Sequence, residues 1–520
     1  MPKGQKKRGL SRRQFLILGG QIAAALAWPG GAAHGRPPGA ADKAAGKGGT
    51  LRYAHLGEFV GFDAHRLHAV SFPMFNLLYN PLIRLDKNMN PRPELAESWR
   101  FSDANRTLTL RLRRGVKFHS GRALTSEDVK ANLLRMQNPA GAANARPLAQ
   151  LVERIETPER QTVVLRLGQV VPNIFDLLDL AFIMDPESFS TLASRAVGTG
   201  PFRMQGWRLG EPTRFTRFAE YYKPGLPLLD EVIVQVPPDP TAMVVGIEEG
   251  KIDVIERFLP ADASRLKKTR GIQVVDVFAG FISDLLINTQ VKPFDDSRVR
   301  RALDFALNRQ LMIQAAQAGI GEPWCLPFPK NSLAYHGDLA AGCRYDLKES
   351  SRLLKEAGLG DGFSFELLIS ESVLPASPTQ AEILRDDLAK IGVEAKIVNV
   401  ESAEYFQRHT TGKYEAALHQ FRGANRDPHS LFLSTIPWFA RKNFSNFQSD
   451  HYARLIDEAG KTSRVEKRRS LYKEIGRVIA AEAFVLCIGP APSLFAFRER
   501  VKGLDWSVEG HPLFEQVTLT

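Results

Sequence analysis

The residues best suited to chemistry fall in three stretches of the chain. The first is His419-Gln420-Phe421-Arg422-Gly423-Ala424-Asn425-Arg426-Asp427-Pro428, with Trp438 ten residues beyond Pro428. Its two guanidinium groups flank a small-residue turn, and guanidinium pairs bidentately with carboxylate or phosphate. The second stretch, residues 57–73, carries Phe59, Phe62, His65, His68 and Phe72 between a glycine and a proline. Aromatic rings on such a loop suit ligand stacking, although a single phenylalanine more often packs in a core. The third is Phe281, just ahead of a strand that ends at Asn288. All of this is recognition chemistry, and none of it makes or breaks a covalent bond.

Other chemistries have less support. A hydrolase would want a Gly-x-Ser-x-Gly elbow and a nucleotide enzyme a Gly-x-x-x-x-Gly-Lys loop, and neither occurs. The acidic pairs Asp295-Asp296 and Asp386-Asp387 sit at helix starts or on helix faces, where they read as caps and solvated groups. The chain is therefore read as a non-enzyme with no cofactor. Metal or metal-chelate binding is the alternative, motivated by His55, His65, His68 and His419, but no His-Glu-x-x-His pattern supports it. No thiolate zinc pair occurs among the three cysteines. Cys325 and Cys343 share a loop-like segment and would bridge in an oxidising compartment, free or buried thiols being the other reading. Cys487, inside Phe484-Val485-Leu486-Cys487-Ile488, reads as core.

At 520 residues the chain exceeds what one core supports, so two or three packed units are expected. The formal charge is +12, but Lys3, Lys6, Lys7, Arg8, Arg12 and Arg13 supply half of it. The remainder is spread over a large body, unlike the concentrated basic stripe of a nucleic-acid binder. Those cations precede an apolar stretch from Phe15 to Ala27, too short for the ~20 residues of a membrane span and suited to a signal peptide. Ser11-Arg12-Arg13-Gln14-Phe15-Leu16 is similar to a twin-arginine export signal. Residues 1–35 are thus expected to direct export, with 36–49 a flexible leader. The mature chain should lie free in the periplasm, with no membrane-embedded segment and no lipid-anchoring cysteine.

The elements that must position these residues are mixed. Alternation at Leu108, Leu110 and Leu112, at Val163, Leu165 and Leu167, and at Val232, Val234 and Val236 predicts strands, as does residues 50–54. Thr125 is placed to cap a helix, and Asp296 or Ser297 to open one long helix through Met312. The stripe Ala381, Leu384, Leu388, Ile391 ends at Gly392 and leads straight into a strand, half of a βαβ unit. Tyr472, Ile475 and Ile479 mark a further helix.

Ordered motifs then give a resemblance. They include Pro93-Glu94-Leu95-Ala96-Glu97-Ser98-Trp99, residues 110–121, Thr125-Ser126-Glu127-Asp128-Val129 and Gly198-Thr199-Gly200-Pro201-Phe202 with Trp207. Later come Leu229-Asp230-Glu231-Val232, Gly250-Lys251-Ile252-Asp253-Val254, Pro293-Phe294-Asp295-Asp296, residues 298–303, 353–358 and 388–393, and Asp427-Pro428. In this order they resemble family 5 of the extracellular solute-binding proteins, the oligopeptide, dipeptide and nickel receptors of ABC importers. The resemblance implies an α/β clamshell of the class II periplasmic binding type, two lobes plus an inserted extra domain. Domain I would comprise 46–80, 195–285 and 492–520, the inserted domain II 81–194, and domain III 286–491.

It also implies a small-molecule solute held in the cleft, permease subunits of an importer as partners, and a monomer. The ligand contacts expected there are Phe59, Phe62, His68, Phe72, Phe281, Phe421, Arg422, Asn425 and Trp438. Dipeptide-type receptors carry an acid just before the Asp-Pro pair to hold the ligand's ammonium, and here that position is Ala424. A buried ammonium without a carboxylate costs several kcal/mol. The solute is therefore expected to be peptide-like with its amine held by another acid, or an anionic small molecule.

Overall fold

The computed structural model describes residues 48–67 and 71–520, so the export segment, most of the leader and His68 lie outside the described residues. Thr50–Ala54 forms an inner strand of a seven-stranded sheet. It runs parallel to Glu231–Gln235 on one side and to Val254–Glu256 on the other. Inner parallel strands are buried on both faces, and Leu51, Tyr53, Val254 and Ile255 are wholly inaccessible. Antiparallel strands continue the sheet outward, Thr213–Arg217 and Phe202–Met204 on one flank, Leu494–Arg498 and Ile272–Asp276 on the other.

A second sheet, of four antiparallel strands, lies between the first and second passes through that body. Its order is Ala96–Ser102, Thr107–Leu112, Thr162–Leu167 and Val152–Glu159. Helix Ser126–Gln137 accompanies it, opened by a capping box between Thr125 and Asp128. The third sheet is mixed, in the order Val393–Asn399, Phe363–Ile369, Ala416–Phe421, Ile282–Ile287 and Val485–Pro490. Phe363–Ile369 and Val393–Asn399 are parallel and joined through helix Ser377–Ala389, the βαβ unit that the glycine-ended stripe predicts. Strand Ile282–Ile287, buried along its length, belongs to this third sheet, so the crossing from the first sheet comes before Ile282 and ahead of 285. The return crossing lies between Pro490 and Leu494.

One helix differs from expectation. The run from Ser297 breaks at Leu307-Asn308 into Ser297–Ala306 and Arg309–Ala316. The Asn308 side chain accepts from the Leu311 N–H and so caps a new helix. Arg309 fixes the corner by donating to Asp304 and to the Cys487 carbonyl. Cys325 and Cys343 form a disulfide, while Cys487 is a buried free thiol. Among the described residues no helix is long and apolar enough to cross a membrane.

Candidate functional site

Strand Ala416–Phe421 is an inner strand of the third sheet, its last residue paired with Ile282. Phe421 is buried edge-on to Trp438, their rings 5.4 Å apart, and anchors the end of the strand. The chain then turns at Gly423, whose N–H and that of Ala424 both reach the Gly280 carbonyl, at 3.1 and 3.3 Å. Gly280 has φ +75°, and a Cβ there would fall 2.2 Å from Asn425 Oδ1, so this approach requires glycine. Beyond the turn, Asp427 caps helix Pro428–Ser434 by accepting from the His429 N–H, and it pairs with Arg468 at 2.5 Å. Arg422 and Arg426 leave this tight corner in different directions, and their surroundings differ sharply.

Arg422 lies among aromatic rings, its guanidinium 5.4 Å from the Phe72 ring and 5.2 Å from the Phe281 ring. It pairs with Glu509 at 2.6 Å and donates to His511 Nε2 at 2.8 Å. A guanidinium cannot accept, so His511 Nε2 must be unprotonated. Burial first, and Arg422 second, hold this imidazole well below its usual pKa. His511 in turn stacks on Phe72 with centroids 4.0 Å apart. Gly510, φ +73°, lets the Glu509–His511 corner press against Ala279, where a Cβ would sit 2.5 Å from the alanine methyl.

Arg426 is enclosed by carboxylates. Its Nε pairs with Glu509 at 2.5 Å, its Nη2 with Asp179 at 3.2 Å and its Nη1 with Asp176 at 3.9 Å. Asp176 and Asp179 lie on helix Ile174–Leu180, in the segment that carries the four-stranded sheet. Asp176 also accepts from the Ser430 hydroxyl and the Asp427 N–H, and Asn173 donates to Ser430 at 2.8 Å. Burial pushes the Asp176 carboxyl up to about 7 against the pull of Arg426. This polar seam ties two sheet-bearing bodies together across the cleft.

Between them remains a cavity of about 430 Å³. Leu67, Phe72, Leu148, Leu180 and Phe281 supply apolar wall, and Arg422, Arg426, Glu509, Asn144, Ser434 and Thr435 supply polar wall. Two cations thus face the cavity against one carboxylate. The expected contacts divide accordingly. Phe72, Phe281 and Arg422 line the cavity. Asn425 does not line it but bridges the bodies by donating to the Val508 carbonyl. Phe62 packs edge-on to Trp207 in the core, and Phe421 packs on Trp438, which packs in turn on Phe484. Phe59 is buried against His55, 5.1 Å between centroids. Glu509 and His511 were not among the expected contacts. The only signal for them was an acid and a histidine flanking Gly510 near the C-terminus.

The histidines that motivated a metal reading have separate partners. His65 binds the Phe182 carbonyl and Arg135, His419 pairs with Asp284 at 3.0 Å, and His55 bonds the Leu56 carbonyl. Among the described residues no three His, Cys, Asp or Glu side chains are grouped to hold a metal ion.

Comparison with known proteins turns this geometry into an identity. Residues 90–438 match the model of the bacterial extracellular solute-binding proteins, family 5. The chain belongs to that family. As a family 5 protein it is the solute-binding component of an ABC importer, built as a clamshell of two lobes with an inserted domain. It is 29% identical to the dipeptide-binding protein of Escherichia coli K12 over 90% of this chain and 94% of that one. It is 27% identical to heme-binding protein A of Haemophilus influenzae over 85% and 87%. Among solved structures it resembles the periplasmic binding protein AgaA of Agrobacterium tumefaciens R10, bound to agropinic acid. There the identity is 26% and the TM-score 0.77, covering 91% of this chain and 99% of that one.

Proposed function

We propose that this family 5 protein captures an acidic small organic solute, or a peptide-like one presenting an acid group, between its lobes and delivers it to the permease. The observation that carries this is Arg422, held on the cavity wall between Phe72 and Phe281 while position 424, beside it, is an alanine. Aromatic packing and exclusion of water strengthen a guanidinium–carboxylate pair relative to the same pair in solvent. The likeness to AgaA, whose bound molecule is an acid, supports the same class of solute. An amine-bearing peptide has only Glu509 to meet it on this wall, and Glu509 already holds Arg422 and Arg426. Phe59, Phe72, Phe281, Arg422 and Asn425 are the contacts we assign to binding or to its immediate support. We further assign residues 1–35 to twin-arginine export, and the mature chain to a monomer in the periplasm that performs no catalysis.

The test is thermal melting of the mature chain against peptides, sugars, aromatic acids, opines and chelated metals. Acids should raise the melting temperature and free-amine peptides should not. Stabilisation by free-amine dipeptides alone would overturn the acidic-solute assignment.

A further inference from the structure

Helix Pro428–Ser434 faces two ways. Leu431 and Phe432 are buried in the core of their own lobe, where Phe432 meets Tyr452 and Tyr472 at centroid distances of 6.1 and 6.4 Å. Ser430 and Leu433, three residues apart and so on one side of the helix, turn to the other lobe. Leu433 packs against the core to which Leu51, Phe72 and Leu177 belong. Among the described residues it is the one apolar side chain of 282–490 packed there. Ser430 donates to Asp176 at 2.5 Å and accepts from Asn173 at 2.8 Å. Just ahead of the helix, the Asp427 N–H donates to the same Asp176 oxygen at 3.1 Å, and Arg426 pairs with Asp179 and Glu509.

The opposing surface matches it. Asn173, Asp176 and Asp179 recur every three residues along helix Ile174–Leu180 and its N-cap, so one side of that helix carries the whole set. Each is no more than 6% exposed, and so is Ser430. Buried polar groups need partners, and here the partners come from the other lobe. The chain joins the lobes only ahead of Ile282 and between Pro490 and Leu494. With those two crossings as the hinge, the angle between the lobes is set by the contacts that they make with each other.

We propose that helix Pro428–Ser434 and the corner before it form a latch on helix Ile174–Leu180 and Glu509, which draws the cleft shut before any solute enters. Every partner in the latch is a protein group, so the closure that it drives is independent of the solute's chemistry. Ser430 and Leu433 do not line the cavity. They act on binding through the closed population alone, since apparent affinity rises with the fraction of the binding-competent form. The latch thus sets how tightly a solute is held without touching it.

Hydrogen exchange at single amides tests this on the mature chain, stripped of solute by denaturation and refolding with its disulfide intact. The Asp427 N–H is bonded across the cleft, so its protection reports the ratio of closed to open forms. The Leu85 N–H, held by Asp179 within one lobe, is the control that should not change. Wild type should protect Asp427, and Ser430→Ala and Leu433→Ser should each lower that protection roughly fivefold or more, the worth of one ordinary hydrogen bond. Asn105 and Ser463 meet from opposite lobes at 3.5 Å on the exposed surface, so an oxidised Asn105→Cys, Ser463→Cys pair can tether the lobes. In the tethered chain both variants should regain the protection. If one variant fails to fold, the other carries the test. An Asp427 amide unprotected in wild type overturns the latch, as does protection unchanged in both folded variants. A loss that persists in the tethered chain is local fraying and overturns it too.

Discussion

Arg422 and Arg426 stand four residues apart on one corner of the chain and share Glu509, yet they do different work. Arg426 faces carboxylates on three sides, from helix Ile174–Leu180 and from the C-terminal segment. Its charge is matched by these carboxylates without a solute, although its Nη1, 3.9 Å from Asp176, makes no hydrogen bond. Arg422 has one carboxylate and two aromatic rings, and an unpartnered Nε. The first arrangement is a seam that holds bodies together, and the second is a contact still short of an acceptor. The contrast teaches that a buried cation identifies a recognition site only where the protein has left its compensation incomplete.

The largest effect should follow from breaking the seam. Arg426→Ala strands Asp176 and Asp179 in a buried setting, while Glu509 keeps Arg422, and losing one partner of a buried pair costs about 3–5 kcal/mol. Chemical denaturation at pH 7 should show this loss, and lowering the pH should recover part of it as the stranded carboxylates protonate. Arg422→Ala leaves Glu509 still paired with Arg426, so the folded state should lose only about 1 kcal/mol, the worth of an ordinary hydrogen bond.

The aromatic residues sharpen the same division. Phe421→Ala opens a void against Trp438 and should cost about 3–5 kcal/mol of stability. Phe72→Leu changes a cavity wall, so it should weaken solute binding more than folding. Paired melting and titration of the two variants checks this, and equal effects on both readouts would erase the distinction between core and wall.

A smaller effect concerns pH. The Asp176 carboxyl titrates near 7 in the folded chain against about 3.9 for an unperturbed aspartate. Between those values the folded state binds the extra proton, so stability falls as pH rises from about 4 through 7. Denaturation at pH 5.5 and pH 8 should show the seam stronger at the lower pH. Asp176→Asn should flatten that dependence, because the amide cannot titrate.

Much of the fold could be read from local pattern. The strand alternations, the capped helix after Thr125 and the glycine-ended helix entering Val393–Asn399 depend on short-range periodicity, which the sequence carries directly. The break at Leu307-Asn308 did not show, because an asparagine inside a helical stripe reads as neutral until its side chain is seen capping Leu311. The site was legible only in part. Phe62, Phe421 and Trp438 have the composition of ligand contacts but are buried by packing from elsewhere in the chain, which no local window reveals. Arg422 and Arg426 looked alike in sequence. Their separation into recognition and seam is set by Glu509, Asp176 and Asp179, which reach them from distant segments.

The most direct measurement of the central claim is the affinity of wild type and Arg422→Ala for the acid that most raises the melting temperature of the mature chain. Truncating one partner of a buried charge pair costs about 2–5 kcal/mol of binding, so the affinity should fall by roughly thirtyfold or more while the ligand-free variant stays folded. An unchanged affinity in folded Arg422→Ala would contradict the assignment of that arginine to solute recognition.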